Sequence, residues 1–286
     1  MKKVLVFGGG GHLAGHIIRL APSNVECVGF SRAQVDITNA PQVAAALQAA
    51  RPDLVINGAA YNFVDKAESD GLESAIKINA LGAATLAHAC RDSDIPLLHF
   101  STDFVFAGRG STPYKETDAT GPVNAYGASK LAGENLVLAA ASRNLVIRVC
   151  RLFGPPATPG QKASGFPSLM LRLARERDEV GVVRGQIGSP GYTPDLARAV
   201  WQLLEKSDGG LYHLSNAGEV AFDDYARAVF ESAKVSCRVV SLSSEEFGAA
   251  ARRPEYSTLC NEKIESVGVE SLRHWREALD EFVRAT

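Results

Sequence analysis

The chain has no block of like charge. Its 30 basic and 32 acidic residues leave a formal net charge of -2 and are interspersed, which argues against a nucleic-acid stripe and against a solvating acidic tail. No apolar run reaches the length of a membrane span, and the hydrophobic start, Val4 to Phe7, is far too short for a secretory signal. The 5 cysteines (Cys27, Cys90, Cys150, Cys237 and Cys260) are scattered and odd in number. Reduced thiols in a cytoplasmic protein are therefore expected, most of them acting as small buried hydrophobes. The 6 histidines show no ligand spacing, so no metal site is expected. No Gly-x-Ser-x-Gly elbow surrounds Ser101, which disfavours a hydrolase triad. Internal repeats and low-complexity tracts are also lacking.

What is present is strand–helix alternation. Lys3–Phe7, Glu26–Phe30, Leu54–Asn57, Leu97–Ser101 and Leu145–Arg148 read as buried parallel strands. Helical stretches lie between them near His12–Leu20, Pro41–Ala50, Leu72–Cys90 and Ala125–Ala140. This is the pattern of a doubly wound parallel sheet, whose ligand lies beyond the carboxyl ends of the strands. Residues 1–150 are read as the dinucleotide-binding unit and 151–286 as a smaller substrate-binding lobe interleaved with the end of the sheet. A breaker-rich loop, Gly154–Gly160, marks the change in texture. Beyond it, helices are expected at Gly165–Arg177, Tyr192–Glu205, Asp223–Ala233 and Leu272–Val283, with a strand at Glu179–Val183.

Four of the strand ends carry chemistry. The first runs into Gly8-Gly-Gly-Gly11-His-Leu-Ala14, spaced Gly-x-x-Gly-x-x-Ala for a tight turn that brings backbone amides to a pyrophosphate. The second ends at Ser31-Arg32, a hydroxyl and a cation where a carboxylate would repel a 2′-phosphate, so NADPH is expected over NADH. Asp36-Ile37 could bind adenine, or Asp36 could open the turn before Thr38-Asn39. Asn57-Gly-Ala59-Ala60-Tyr61 gives small residues where the cofactor would cross the third strand.

The fourth strand ends at Ser101-Thr102-Asp103, and Tyr126 and Lys130 follow within Asn124-Ala-Tyr-Gly-Ala-Ser-Lys130. Residues four apart share a helix face. An ammonium there is expected to favour the phenolate and bring the phenol's pKa toward neutrality. With the hydroxyl of Thr102, the trio is equipped to protonate a carbonyl oxygen while hydride reaches its carbon. Alone, Tyr-x-x-x-Lys is a weak pattern, in most helices a surface pair contributing a few tenths of a kcal/mol. The nucleotide signature in the same chain gives it weight.

These residues resemble the extended short-chain dehydrogenase/reductases, and among them the reductases of dTDP-4-dehydrorhamnose. The resemblance spans nearly the whole chain. It rests on Arg51-Pro-Asp with Val-Ile-Asn57, Val64-Asp-Lys-Ala-Glu68, Ser101-Thr-Asp-Phe-Val-Phe106, Pro122 to Glu134, Gln186-Ile-Gly-Ser-Pro190, Gly210-Leu-Tyr-His-Leu214 and Ser257-Thr-Leu259. It implies a Rossmann-type fold, with Tyr126 as proton donor, Lys130 holding the nicotinamide ribose and Thr102 tuning the site. Gly11, His12, Leu13, Ser31, Asp36, Ile37, Ala60, Tyr61 and Asn62 would contact the dinucleotide, and Thr102 and Asp103 the sugar nucleotide. The reaction implied is reduction at C4 of a 4-keto-6-deoxy sugar.

Three positions depart from that pattern: Arg151 where tryptophan is usual, Ala107, and Gly191. Arg151 could stack on a sugar or pair with a diphosphate. A GDP- or UDP-linked 4-keto sugar is therefore an alternative substrate. So is a non-catalytic role like that of the methionine adenosyltransferase beta subunit, which the same branch resembles. A homodimer is left open. Asp65, Lys66 and Glu68 read as a solvated helix start, and Arg184 and Arg253 as diphosphate contacts or surface charges.

Overall fold

The computed structural model describes residues 1–158 and 160–286. Pro159, in the loop expected over 154–160, lies outside the described residues. The first half runs β1 (Lys2–Phe7), α1 (His12–Arg19), β2 (Val25–Phe30), α2 (Ala40–Ala50), β3 (Leu54–Asn57), α3 (Leu72–Ala75), a π-helical segment (Ile76–Gly82), α4 (Ala83–Asp92), β4 (Leu97–Thr102), α5 (Ala125–Ala140) and β5 (Leu145–Val149). Then come β6 (Leu152–Phe153), α6 (Phe166–Leu173), β7 (Glu179–Val183), β8 (Ile187–Gly188), β9 (Gly191–Tyr192), α7 (Thr193–Lys206) and β10 (Gly210–Leu214). The chain finishes with β11 (Val220–Ala221), α8 (Phe222–Ala233), β12 (Arg238–Leu242), α9 (Ser244–Phe247), α10 (Glu262–Ser266) and α11 (Trp275–Arg284).

The central sheet has 6 strands in the order β10-β5-β4-β3-β1-β2, all parallel. Side chains alternate across a strand, and here both faces are apolar. Val4 and Val6 join Ile17, Leu196, Val200 and Leu203 on the face covered by α1 and α7. Leu5 and Phe7 join Val43, Leu47, Leu86 and Val137 on the face covered by α2, α4 and α5. Each fully buried side chain of this kind contributes about 1.5–3 kcal/mol, and a one-residue slip would exchange the two cores. The strand order reverses at β1, between β2 and β3, where such sheets open a ligand crevice.

The later half supplies β10 and α7 to this sheet and builds its own core, in which Phe153, Tyr225, Phe230, Trp275, Leu279 and Phe282 pack together. Arg148 on β5 forms a buried bidentate pair with Glu134 on α5, at 2.9 and 2.5 Å. Its third nitrogen donates to His213 Nε2 at 3.2 Å. The pair ties the middle of α5 to the sheet.

The expected helix over 72–90 is continuous but carries a π segment between α3 and α4. The bulge turns Asn79 inward. Its Oδ1 accepts from the Tyr61 N–H at 2.8 Å, and its Nδ2 donates to the Tyr61 carbonyl and to Ser129 Oγ. Widened turns of this type are frequent at functional sites. The helix expected over 165–177 stops at Leu173. The one expected from Leu272 starts at Trp275, where the His274 ring caps it by accepting from the Arg276 N–H. No helix among the described residues is long and apolar enough to cross a membrane.

Candidate active site

The carboxyl edge of the sheet begins with the glycine turn. Gly8 has a φ of 74°, and a Cβ there would collide with the Ala59 amide, so glycine lets β1 and β3 release their chains side by side. Gly11 is the N-cap of α1 and no side chain caps the helix. The first-turn N–H groups of α1 are thus left for an external acceptor at the positive end of the helix. A Cβ on Gly10 would meet nothing. The turn therefore fits a dinucleotide pyrophosphate.

Two residues assigned to the cofactor turn their side chains away. Leu13 and Ile37 are buried in the two cores, so only their backbones face the crevice side. His12 lies at the turn, and burial lowers its imidazole below the ordinary value despite a hydrogen bond with the Pro155 backbone. Ser31 Oγ donates to Gln34 Oε1 at 2.9 Å. Arg32 is exposed, with Nε 3.7 Å from Asp36. Asp36 takes the turn role, accepting from the N–H and hydroxyl of Thr38, and Asn39 caps α2. Ala59, Ala60 and Tyr61 are half-buried beside the turn, and Asn62 is exposed.

Thr102 ends β4, while Asn124 caps α5 through the Gly127 N–H at 2.7 Å. A Cβ at Gly127 would overlap the Phe104 carbonyl; its absence lets the first turn of α5 close on Thr102–Phe104. The Tyr126 ring stands edge-on to Phe104, centroids 5.9 Å apart, and its hydroxyl is 3.4 Å from Asn62 Oδ1. Thr102 donates its proton to Asp103 Oδ1 at 3.0 Å and accepts from the Phe104 N–H at 3.2 Å. Towards Tyr126 it can therefore only accept.

The expected lowering of the phenol is corrected here. Burial and then the Asp103 carboxylate push Tyr126 above its ordinary value, with the Thr102 hydrogen bond pulling the other way. The amine of Lys130 does not point at the phenol. It donates to the Phe100 carbonyl at 2.5 Å and lies 3.5 Å from His99 Nε2. Burial lowers it to about 8, against the opposing influence of Glu134.

On the far wall, Asp103 is almost fully buried. Its carboxylate accepts from Thr102, from Cys150 Sγ at 3.1 Å and from Ser257 Oγ at 2.6 Å, leaving the side chain little to offer a sugar. Burial raises its carboxyl, while Ser257, Cys150, Arg151 and Thr102 oppose the shift. Arg151, expected to meet sugar or diphosphate, is committed elsewhere. Nη1 donates to the Val220 carbonyl and Nη2 to that of Gln186, both at 2.8 Å. The guanidinium lies 3.9 Å over the Phe222 ring. It braces the lobe by tying the β11 carbonyl of Val220 to the carbonyl of Gln186 that precedes β8, two bonds that a tryptophan's single N–H could not both replace.

The expected solvated helix start is present, with Asp65, Lys66 and Glu68 exposed at a 3-10 turn, and two of its side chains are also engaged. Asp65 grips Arg253 with bonds of 2.7 and 3.1 Å, and Glu68 Oε1 accepts from the Ala125 N–H at 2.6 Å. These contacts hold residues 251–253 and the start of α5 together. Residues not singled out from the sequence, namely Asn57, Asn79, His99, Ser129 and Glu134, form the supporting layer. Isolated polar residues inside apolar strands (Asn57, His99) were the available signal.

A family model described as the RmlD substrate binding domain matches residues 1–286. The dTDP-4-dehydrorhamnose reductase of Mycolicibacterium smegmatis is 39% identical over 290 residues, covering 100% of this chain and 86% of that protein. The spore coat polysaccharide biosynthesis protein SpsK of Bacillus subtilis is 36% identical, covering 99% of this chain and 98% of its own. The crystal structure of dTDP-4-dehydrorhamnose reductase from Bacillus anthracis in complex with NADP superposes with a TM-score of 0.93 at 36% identity, covering 100% of each chain. Matched from end to end in both sequence and structure, this chain belongs to the RmlD substrate-binding domain family of Rossmann-type, short-chain dehydrogenase/reductase-like proteins.

Proposed function

We propose that the chain is an NADPH-dependent reductase that converts the 4-keto group of a nucleotide-linked 4-keto-6-deoxyhexose, dTDP-4-dehydrorhamnose, to the alcohol. The observation that carries this reading is the half-buried Tyr126 phenol, flanked by Thr102 and Lys130, at the carboxyl edge of the sheet that holds the glycine turn. The NADP-bound relative with the same fold supports the cofactor, and the reductases at 39% and 36% identity support the substrate.

NADPH, when bound, supplies the hydride that goes to C4. Tyr126 gives its proton to the ketone oxygen. Because its pKa is raised, the phenol remains loaded as a donor across the physiological range. Thr102 orients that hydroxyl, and Lys130 holds the nicotinamide ribose. Gly8, Gly11, the first turn of α1, Ser31, Arg32 and the Ala59–Asn62 segment hold the dinucleotide. Residues 151–286 form the lobe that selects the sugar nucleotide. Five free thiols support a place for the enzyme in the reducing cytoplasm.

Loss of NADPH absorbance with dTDP-4-dehydrorhamnose, set against GDP- and UDP-linked 4-keto sugars at the same enzyme concentration, tests the reading. Turnover should be fastest with the dTDP sugar. Faster turnover of another base would move the assignment, and no turnover of any of them, with NADPH bound, would replace it with a binding role.

A further inference from the structure

Lys130 is buried, yet its amine has no carboxylate of its own. Glu134, one turn further along α5, gives both oxygens to Arg148 of β5. The groups that face Nζ are the Phe100 carbonyl and the His99 ring, both from β4. Tyr126 shares the same face of α5 as a neutral phenol.

The geometry fixes the state of His99. The Ala59 N–H donates to Asn57 Oδ1 at 3.0 Å, which orients the amide. Asn57 Nδ2 therefore points at His99 Nδ1, also at 3.0 Å. An amide N–H donates, so Nδ1 accepts, and the neutral imidazole carries its proton on Nε2. Burial, and then the nearby Lys130 charge, hold His99 well below its ordinary value, keeping the ring neutral. Nε2–H thus faces the lysine. Against an ammonium that N–H has no acceptor; against a neutral amine it donates to the lone pair, while an amine N–H still serves the Phe100 carbonyl.

We propose that His99, held in this tautomer by Asn57, is a positioning residue for Lys130 that favours its neutral amine in the cofactor-free protein, so that binding NADPH draws a proton onto Nζ. The proton comes from the medium and no electrons move. The Phe100 carbonyl and Glu134 favour the ammonium, and the ribose hydroxyls would add acceptors for its N–H groups, which tips the balance when the cofactor arrives. This inference rests on the reading of Lys130 as the ribose-binding lysine.

Calorimetry of NADPH binding at pH 8, in two buffers of different ionisation enthalpy, counts the protons taken up. With the lysine near half-charged there, the native chain should take up roughly half a proton per NADPH. His99→Leu should at least halve that uptake. His99→Gln should retain it, because a glutamine amide can accept from Asn57 through Oε1 and present Nε2–H to the lysine. Native uptake in His99→Leu would overturn the proposal, as would equal losses in both variants. Imidazole 15N shifts of the unliganded native protein give a check that needs no variant: His99 should be protonated on Nε2, and protonation on Nδ1 would overturn it. Binding and reductase activity without proton uptake would defeat this inference alone; failure to bind NADPH would defeat the cofactor reading as well.

Discussion

Tyr126 and Lys130 share one face of α5 but answer to different walls. The phenol reaches towards Asn62 at 3.4 Å, and the amine is pinned to the Phe100 carbonyl at 2.5 Å. One turn of helix is enough to put the proposed proton donor and the proposed ribose-binding amine side by side without pairing them. In the free chain the lysine therefore does not drive the phenol towards phenolate, and burial leaves it protonated.

Removing the phenol hydroxyl should separate chemistry from binding. Tyr126→Phe keeps the edge-on contact with Phe104 and loses only the hydroxyl, with its proton and its long contact to Asn62. A positioned general acid contributes about 10²–10⁴-fold, so kcat should fall by that order while the NADPH Kd changes less than about threefold. Stopped-flow turnover and fluorescence titration measure the two quantities; unchanged kcat would remove Tyr126 from the mechanism.

Cofactor choice should respond at the end of β2. In the proposed cofactor site Ser31 and Arg32 put no carboxylate at the end of β2, and Arg32 is only loosely engaged by Asp36 at 3.7 Å. A carboxylate at this position accepts from the ribose hydroxyls and repels a 2′-phosphate. Ser31→Asp should therefore lower the NADPH-to-NADH ratio of kcat/KM by about tenfold or more, equivalent to about 1.4 kcal/mol. A wild-type preference for NADH would contradict the premise.

The buried pair between Glu134 and Arg148 makes a stability prediction. Both side chains are nearly inaccessible, at 2% and 3%. Arg148→Met strands a carboxylate in the core, and breaking one half of a buried pair costs about 3–5 kcal/mol. The double variant Arg148→Met with Glu134→Leu removes the stranded charge and should recover most of that loss in urea unfolding. Additive losses in the double variant would show that the charges are not coupled.

Much of this was legible from the chain because short continuous apolar runs, buried on both faces, and terminal glycines report local requirements. The expected bounds of β3 and α5, Leu54–Asn57 and Ala125–Ala140, are the observed ones. Two-residue strands such as β8 and β11 carry no period to read. The π turn was invisible because Asn79 looks like any polar residue in a helix until its amide is seen holding both backbone groups of Tyr61. Arg151 misled for a related reason: a long cation near a pocket reads as a ligand contact, whereas its partners are carbonyls distant in sequence.

Arg151 is the position at which substrate contact and bracing can be told apart. Its backbone is left-handed, φ 43°, a conformation costly for side chains other than glycine, and its guanidinium satisfies two carbonyls while covering Phe222. Replacing it with tryptophan removes hydrogen bonds from a charged donor, at about 1.5–3 kcal/mol, and loses a desolvated cation–π contact of about 2 kcal/mol. Arg151→Trp and Arg151→Lys should both lower unfolding stability, by about 2–4 kcal/mol for tryptophan and less for lysine, which can still reach one carbonyl. The KM for the sugar nucleotide should stay within about threefold in Arg151→Lys, since the native head group points into the protein. A tenfold rise in KM with stability unchanged would show instead that the guanidinium meets the substrate.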